Sequence, residues 1–348
     1  MRSSAVTGIP SWLVDVAQCP DDGGPLRDDG RPSCDGVRCV RCGEQYGVVD
    51  GVLGLLPKRL AHLRQRDAAS PREVQHHDPH VRWVEDELEW WNPWHERDPL
   101  RPLSPRSGLR GRSREVNLFR HTRPRAPTAG FVIEMGAGTS RTVAGLWPPQ
   151  ETGIRYVATD VSLPALSGGR RILGPTVASV QCDAVEWPFR PGVADVVLVL
   201  GVLHHLSDWR SALERAALTV RPGGLLLLHE VVEKPRVLAR FRSGGFNDAW
   251  VSPHEGDVPA LDIRAVLERH GRVLRWRGEE SPLRFVLVKY LVERRGRYEL
   301  LETSPGITAV LNAVDQLFGR CLGPLFPSLG FHEVTGIWQR SPESAVVR

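Results

Sequence analysis

Lysine is nearly missing from this chain. It stands only at positions 58, 234 and 289, so the net charge of +4 rests on arginine, and a charge that small does not by itself call for a nucleic-acid partner. Long hydrophobic runs are also missing. The longest, such as "ADVVLVLGVL" at 194–203, are about half of what crosses a bilayer, and "MRSSAVTGIPSW" has no apolar signal-like stretch. The expectation is a cytoplasmic protein with no membrane partner. Cysteine is scarce for 348 residues. Four of the six crowd between 19 and 42, which argues for a metal site in a reducing compartment over a disulfide framework. No repeat of solenoid period is present.

What is present is a globular composition, 41% hydrophobic and 25% charged, in three zones. Residues 1–57 are rich in Cys, Gly and Asp with short strand-like runs. Residues 58–128 begin as a Trp-bearing helical stretch and end as an Arg- and Pro-rich linker. From 129 to 348, apolar runs alternate with amphipathic segments, the pattern of parallel strands joined by crossover helices. Strands are expected at "FVIEM", "RYVATD", "VASVQC", "ADVVLVL" and "GGLLLLHEVV", and helices at 139–147, 163–171 and 208–220, the last capped by Asp208. Right-handed crossovers make this an α/β doubly wound sheet.

"EMGAGTS" at 134–140 follows the first of these strands. Gly136 and Gly138 let a ligand approach the backbone at the crevice where strand order reverses, although a short glycine loop is also compatible with a bare tight turn. Asp160 ends the second strand, where a carboxylate can accept both hydroxyls of a ribose, and Asp183 ends the third, where it can read an adenine edge. Each acid alone reads equally as a helix N-cap. Three such features in register are harder to explain that way.

"VIEMGAGTSRT", "YVATDVS", "QCDAVEWPFRPGVADVVLVLGVLHHLSDW" and "VRPGGLLLLHE", in that order and spacing, resemble the motifs of class I S-adenosylmethionine-dependent methyltransferases, particularly the group similar to the ubiquinone and menaquinone enzymes. The likeness covers about 130–232. It implies a mostly parallel seven-stranded Rossmann-like sheet and S-adenosylmethionine as cofactor. It places Glu134 near the methionine amino group, and Gly136, Ala137 and Gly138 along the methionine and ribose. Asp160 falls on the ribose hydroxyls, Val161 beside the adenine, Asp183 and Ala184 at the adenine edge, and Gly201 and Val202 at the pocket floor. Ser140 stands where a third glycine is frequent. A dehydrogenase shares the glycine loop but does not fit "DAVEWPF" and "VLHHLSD".

A hydroxyl acceptor needs a base. His204 and His205 follow the fourth strand and Glu230 ends the fifth. All three are candidates, and for the histidines a packing role competes with the catalytic one.

"LVDVAQCPDDGGPLRDDGRPSCDGVRCVRCGEQYGVVDGVLGLLP" resembles the small zinc-ribbon domain of methyltransferase activator subunits. Cys39 and Cys42 form its intact knuckle, while Asp22 stands where a second cysteine is expected after Cys19. Cys19, Asp22, Cys39 and Cys42, with Cys34 as the substitute for Asp22, make a structural zinc set; a ribbon that has lost its metal is the equal alternative. The ribbon is expected to serve assembly or acceptor capture, on a sheet separate from Glu134, Asp160 and Asp183.

In "HVRWVEDELEWWNPW", Trp83, Trp90 and Trp94 fall on one helix face ended or kinked by Pro93, expected to pack beside the cofactor entrance. "HHDPH" at 76–80 reads as a solvated loop before a metal site. "GRVLRWRG" and "VTGIWQR" are expected to form the last antiparallel hairpin, enclosing a mainly helical insertion at 281–330. Together these readings give a methyltransferase acting on a small molecule or glycan, at oxygen. An RNA methyltransferase using Arg110, Arg112 and Arg114, and a non-catalytic partner of another methyltransferase, remain as alternatives.

Overall fold

The computed structural model describes residues 9–28, 36–64, 78–97, 130–146, 153–174, 177–232, 258–279 and 333–342, with a few isolated positions between them. Cys34, the Arg-rich linker, and all but a few scattered positions of 281–330 lie outside the described residues.

Among the described residues, eleven strands, numbered β1 to β11 along the chain, form one mixed sheet in the order β1-β2-β3-β4-β7-β6-β5-β8-β9-β11-β10. The expected Rossmann-like unit is the right-hand part: β5 (Phe131–Met135), β6 (Arg155–Asp160), β7 (Ala178–Cys182), β8 (Ala194–Leu200) and β9 (Val220–Val231) run parallel, and β10 (Gly271–Glu279) and β11 (Glu333–Arg340) close it as an antiparallel pair. Strand order reverses at β5, which lies between β6 and β8. The carboxyl ends of those strands open the crevice that a doubly wound sheet offers a ligand.

Two corrections concern the N-terminal segment. The sheet is larger than seven strands, and the cysteine segment is not on a separate one. β1 (Leu26–Asp28), β2 (Gly36–Cys39), β3 (Gln45–Val49) and β4 (Val52–Leu55) meander antiparallel, and β4 then pairs in parallel with β7, Leu53 opposite Val180 and Leu55 opposite Cys182. An edge strand with unpaired N–H and C=O groups is a template for such an addition. All four residues of β4 are buried, and Leu13, Leu53 and Leu55 share a core cluster with Ile133 and Val197. A second seam is made by backbone: Gln18 N–H donates to Pro188 O at 2.9 Å and Arg190 N–H to Val16 O at 3.0 Å.

The helices follow from capping and spacing. α1 (Ser11–Val16) precedes the cysteines, and α3 (Arg141–Leu146) follows β5. α4 (Leu163–Leu173) starts at Ser162, whose hydroxyl accepts the Ala165 N–H, and α5 (Trp209–Thr219) starts at Asp208, which caps Ser211. α5 buries Trp209, Ala212, Leu213, Ala216 and Ala217, an i, i+3, i+4, i+7, i+8 face. α6 (Ala260–Glu268) precedes the final hairpin.

α2 (Pro79–Arg97) runs on through Pro93, so of the end or kink expected there the end does not occur. Its Val81, Val84 and Leu88 pack on Leu56 and Leu60, just after β4, with Val161 alongside. The helix is thereby laid across the mouth of the crevice. Among the described residues, no helix is long and apolar enough to cross a membrane.

Candidate active site

The glycine turn after β5 is fastened from β6. Ala137 N–H donates to Thr159 O at 2.7 Å, the Thr159 hydroxyl donates to Glu134 O at 2.6 Å, and Gly138 N–H donates to Asp160 Oδ2 at 2.8 Å. Gly136 has φ +64°, and a Cβ there would stand 2.3 Å from Val202 Cγ2, so the turn is packed against the loop after β8. Ser140 adopts φ +53°. A side chain thus occupies the left-handed conformation that glycine takes freely, at a cost of roughly 1–2 kcal/mol. Substitution of the third glycine leaves the backbone shape intact.

Asp160 accepts one N–H on each oxygen, from Gly138 and from Ser162, both at 2.8 Å. Each carboxylate oxygen can take a further donor, so both remain able to receive a diol. Glu134 is only 2% exposed and accepts a short hydrogen bond from the Tyr156 hydroxyl. Burial, and then the Glu134 charge, push the Tyr156 phenol well above its ordinary range, which keeps it a donor.

A cavity of ≈ 220 Å³ lies over this turn. That is more than tenfold the space one water requires, so it is roomy enough for a ligand. Of the residues singled out from sequence, Gly136, Asp160, Val161, Asp183, Ala184, Gly201, Val202 and His205 line it. Glu134, Ala137, Gly138, His204 and Glu230 do not.

The three candidate bases part company here. Glu230 is fully buried and accepts the N–H groups of Val202 at 3.1 Å and Leu203 at 2.7 Å, and lies 2.5 Å from His204 Nδ1. It clamps the turn after β8, and neither it nor His204 faces the cavity. His205 does.

The opposite wall comes from the Trp-bearing helix expected beside the cofactor entrance. It is one face of α2: His80, Trp83, Val84, Glu87, Leu88, Trp91 and His95. His80 Nε2 lies 2.6 Å from Asp183 Oδ2, with Nδ1 2.7 Å from the Ser207 hydroxyl. The last residue of "HHDPH" therefore lines the pocket, and both oxygens of Asp183 are engaged, Oδ2 by His80 and Oδ1 by the Val185 N–H at 2.9 Å. Trp83 Nε1–H donates to His205 O at 2.8 Å. Trp91, rather than Trp90, faces inward and meets the His205 ring edge-on at 5.4 Å between centroids. His205 Nδ1 lies 3.2 Å from Glu87 Oε2 and 3.1 Å from the Ser252 hydroxyl. Burial raises the Glu87 carboxyl, but bonds from His205, Ser252 and Trp91 outweigh it and hold the group below the usual carboxylate range. The available signal was an acid spaced four residues from both Trp83 and Trp91.

In the N-terminal segment, the ligand atoms of Cys19, Asp22, Cys39 and Cys42 all lie within 4.8 Å of one another. Cys19 and Cys42 sulfurs are 3.7 Å apart, and Cys39 Sγ is 3.4 Å from Asp22 Oδ1. Arg41 and Cys42 N–H groups donate to Cys39 Sγ at 3.3 and 3.4 Å. Burial pushes the Cys19 thiol up to about 12, the hydrogen bond with Tyr46 acting in the opposite direction.

Residues 133–228 match the family model of a methyltransferase domain. The stretch from β5 to β9 is thus similar to a methyltransferase domain. It is similar to the demethylmenaquinone methyltransferase of Clavibacter sepedonicus, 32% identical over 34% of this chain and 49% of that protein. It is also similar to the O-methyltransferase cnsE of Penicillium expansum, 29% identical over 31% of this chain and 40% of the relative. The reducing polyketide synthase ppsB of Aspergillus oryzae is 32% identical over 36% of this chain and 6% of its own length. The chain spans less than half the length of these relatives. Among solved structures, geranyl diphosphate C-methyltransferase from Streptomyces coelicolor A3(2) aligns with a TM-score of 0.44 at 13% identity, over 66% of this chain and 75% of that one. The matched domain begins within β5 and ends within β9. α2 and the cysteine segment lie outside it.

Proposed function

We propose that the chain transfers the methyl group of S-adenosylmethionine to an oxygen atom of a small molecule or glycan. The observation that carries this reading is a single cavity joining Asp160, with acceptor capacity for a diol, to His205, whose Nε2 has no hydrogen bond among the described residues. The cofactor fits the residues present: a Cβ at Gly201 meets nothing within 4 Å, so the backbone there borders open space at the cavity wall. When bound, S-adenosylmethionine supplies an electrophilic methyl group for in-line displacement. Asp160 would hold the ribose, and Val161, Asp183 and Ala184 the adenine, with His80 sharing the Asp183 carboxylate. Glu134 would act on the methionine end through the turn it supports rather than from the cavity wall. His205 is the base candidate that faces the cavity, and imidazole exchanges protons near neutral pH. Of the similar proteins, one is by name an O-methyltransferase and another acts by name on demethylmenaquinone, in keeping with transfer to oxygen and with a small-molecule acceptor.

The reading extends to zinc held by Cys19, Asp22, Cys39 and Cys42. Bonds of about 2.3 Å to sulfur and 2.0 Å to oxygen in a tetrahedron place S···S edges near ~3.8 Å and S···O edges near ~3.5 Å. The 3.7 and 3.4 Å separations match those edges. Four protein ligands leave no open position, so the metal would serve structure and not the transfer step.

Calorimetry with S-adenosylhomocysteine tests the core of the proposal. Asp160→Ala removes two charge-assisted hydrogen bonds to the ribose, about 3 kcal/mol, or on the order of a hundredfold in Kd. No binding by folded wild-type protein would remove the reading.

A further inference from the structure

We infer that Glu87, on α2, is the positioning residue for His205. This rests on the methyl-transfer reading above, and brings into the site a residue 46 positions ahead of the matched domain. Three observations carry it.

The first is orientation. Glu87 is a carboxylate that can only accept, and a bare Nδ1 at 3.2 Å from Oε2 would set lone pair against lone pair, so the contact favours the proton on His205 Nδ1, with the Ser252 hydroxyl at 3.1 Å able to accept beside it. The lone pair is thereby assigned to Nε2, the nitrogen without a partner among the described residues. Trp91 closes against the ring edge, and Trp83 holds the His205 carbonyl, so ring and backbone are both fixed from α2.

The second is charge. Glu87 is 6% exposed, and its Oε1 is buried with no hydrogen-bond partner. Oε2 takes Trp91 Nε1–H at 3.1 Å in addition to His205. A buried carboxylate with one oxygen unserved is poorly solvated, and a cation formed beside it relieves that deficit. His205 is the neighbour able to become one. As the acceptor oxygen bonds to the methyl carbon and the carbon–sulfur bond breaks, the hydroxyl proton passes to Nε2, leaving an imidazolium against Glu87.

The third is exclusivity. The other groups facing His205 are His204, whose ring lies 4.0 Å away between centroids and is bound to Glu230, and the neutral Ser252. His254 stacks on Trp83 and bonds Asp86, away from the ring. Among the described residues, Glu87 is the anion in contact with His205.

The test uses the full chain, with the histidine ring nitrogens followed by nitrogen NMR and His205→Asn to assign the signals. Glu87 can only accept, so wild type should hold the proton of neutral His205 on Nδ1, and Glu87→Gln, whose amide can donate as well as accept, should lower the ratio of the Nδ1–H to the Nε2–H form by about tenfold. Glu87→Asp, which keeps the charge but withdraws it by one methylene, should lower it part of the way, and it serves alone if the glutamine variant does not fold. An unchanged ratio in a folded variant of either kind overturns the inference. S-adenosylhomocysteine calorimetry on the same samples separates the two claims: wild type that shows the Glu87-dependent tautomer without binding S-adenosylhomocysteine would sink the methyl-transfer reading and leave the coupling standing.

Discussion

Replacing Gly136 by alanine tests how tightly the cofactor turn is bound to the loop after β8. The residue sits at φ +64°, and an added Cβ would meet Val202 Cγ2 at 2.3 Å and Val202 Cβ at 2.7 Å. Holding a non-glycine residue in the left-handed region costs roughly 1–2 kcal/mol. Overpacking against a β-branched neighbour that cannot rotate clear adds roughly 1–3 kcal/mol. Gly136→Ala should therefore destabilise by about 2–5 kcal/mol, read as a lower urea midpoint at unchanged slope. The two contributions separate in a double-mutant cycle. Val202→Ala removes the γ-methyls but not the Cβ or the backbone strain, so it should recover about 1–2 kcal/mol of the loss without abolishing it. Affinity for S-adenosylhomocysteine should fall in Gly136→Ala and recover in part with Val202→Ala. Additive effects of the two substitutions, or a midpoint for Gly136→Ala indistinguishable from wild type, would refute the packing argument.

Two further outcomes are expected. Glu230→Ala leaves the Val202 and Leu203 N–H groups and His204 without their shared acceptor inside the core, and should cost about 3–5 kcal/mol in denaturant unfolding; a loss below about 1 kcal/mol would show that the turn is held by something else. Wild-type protein should carry zinc by metal analysis and Cys39→Ser with Cys42→Ser should not, with a lower unfolding midpoint because β4 shares the core sheet, while S-adenosylhomocysteine binding persists. Zinc retained by that double variant would overturn the ligand set.

Much of the parallel sheet was legible because each strand and helix there announces itself locally. "FVIEM" and "ADVVLVL" are apolar runs buried on both faces, Asp208 caps the helix after them, and the acids at 160 and 183 fall at strand ends by register alone. The three candidate bases could not be ranked that way. His204 and His205 are adjacent, and only the arrival of Glu230 from β9 turns one into a clamp while the other faces the cavity. Within the Trp stripe, Trp83 lines the cavity as expected but Trp90 gives way to Trp91 for a related reason: a helical face spans several neighbouring positions, and which of Trp90 and Trp91 turns inward depends on how α2 is seated on Leu56 and Leu60.

The sequence by itself determined the succession of the parallel strands and their helices and the glycine turn with its flanking acids, since hydrophobic period, capping and short-range turn geometry act within a few residues; of its five candidate ligands, it is the folded segment that brings Cys19, Asp22, Cys39 and Cys42 together. Tertiary structure decided what those parts face. Pairing of β4 with β7 merges the cysteine segment into the catalytic sheet because an open strand edge is satisfied by whichever strand reaches it, at any distance along the chain. Glu87 meets His205 across 118 positions of sequence. A buried carboxylate selects its partner by proximity in space, where low dielectric makes the contact strong, and no pattern along the chain records that distance.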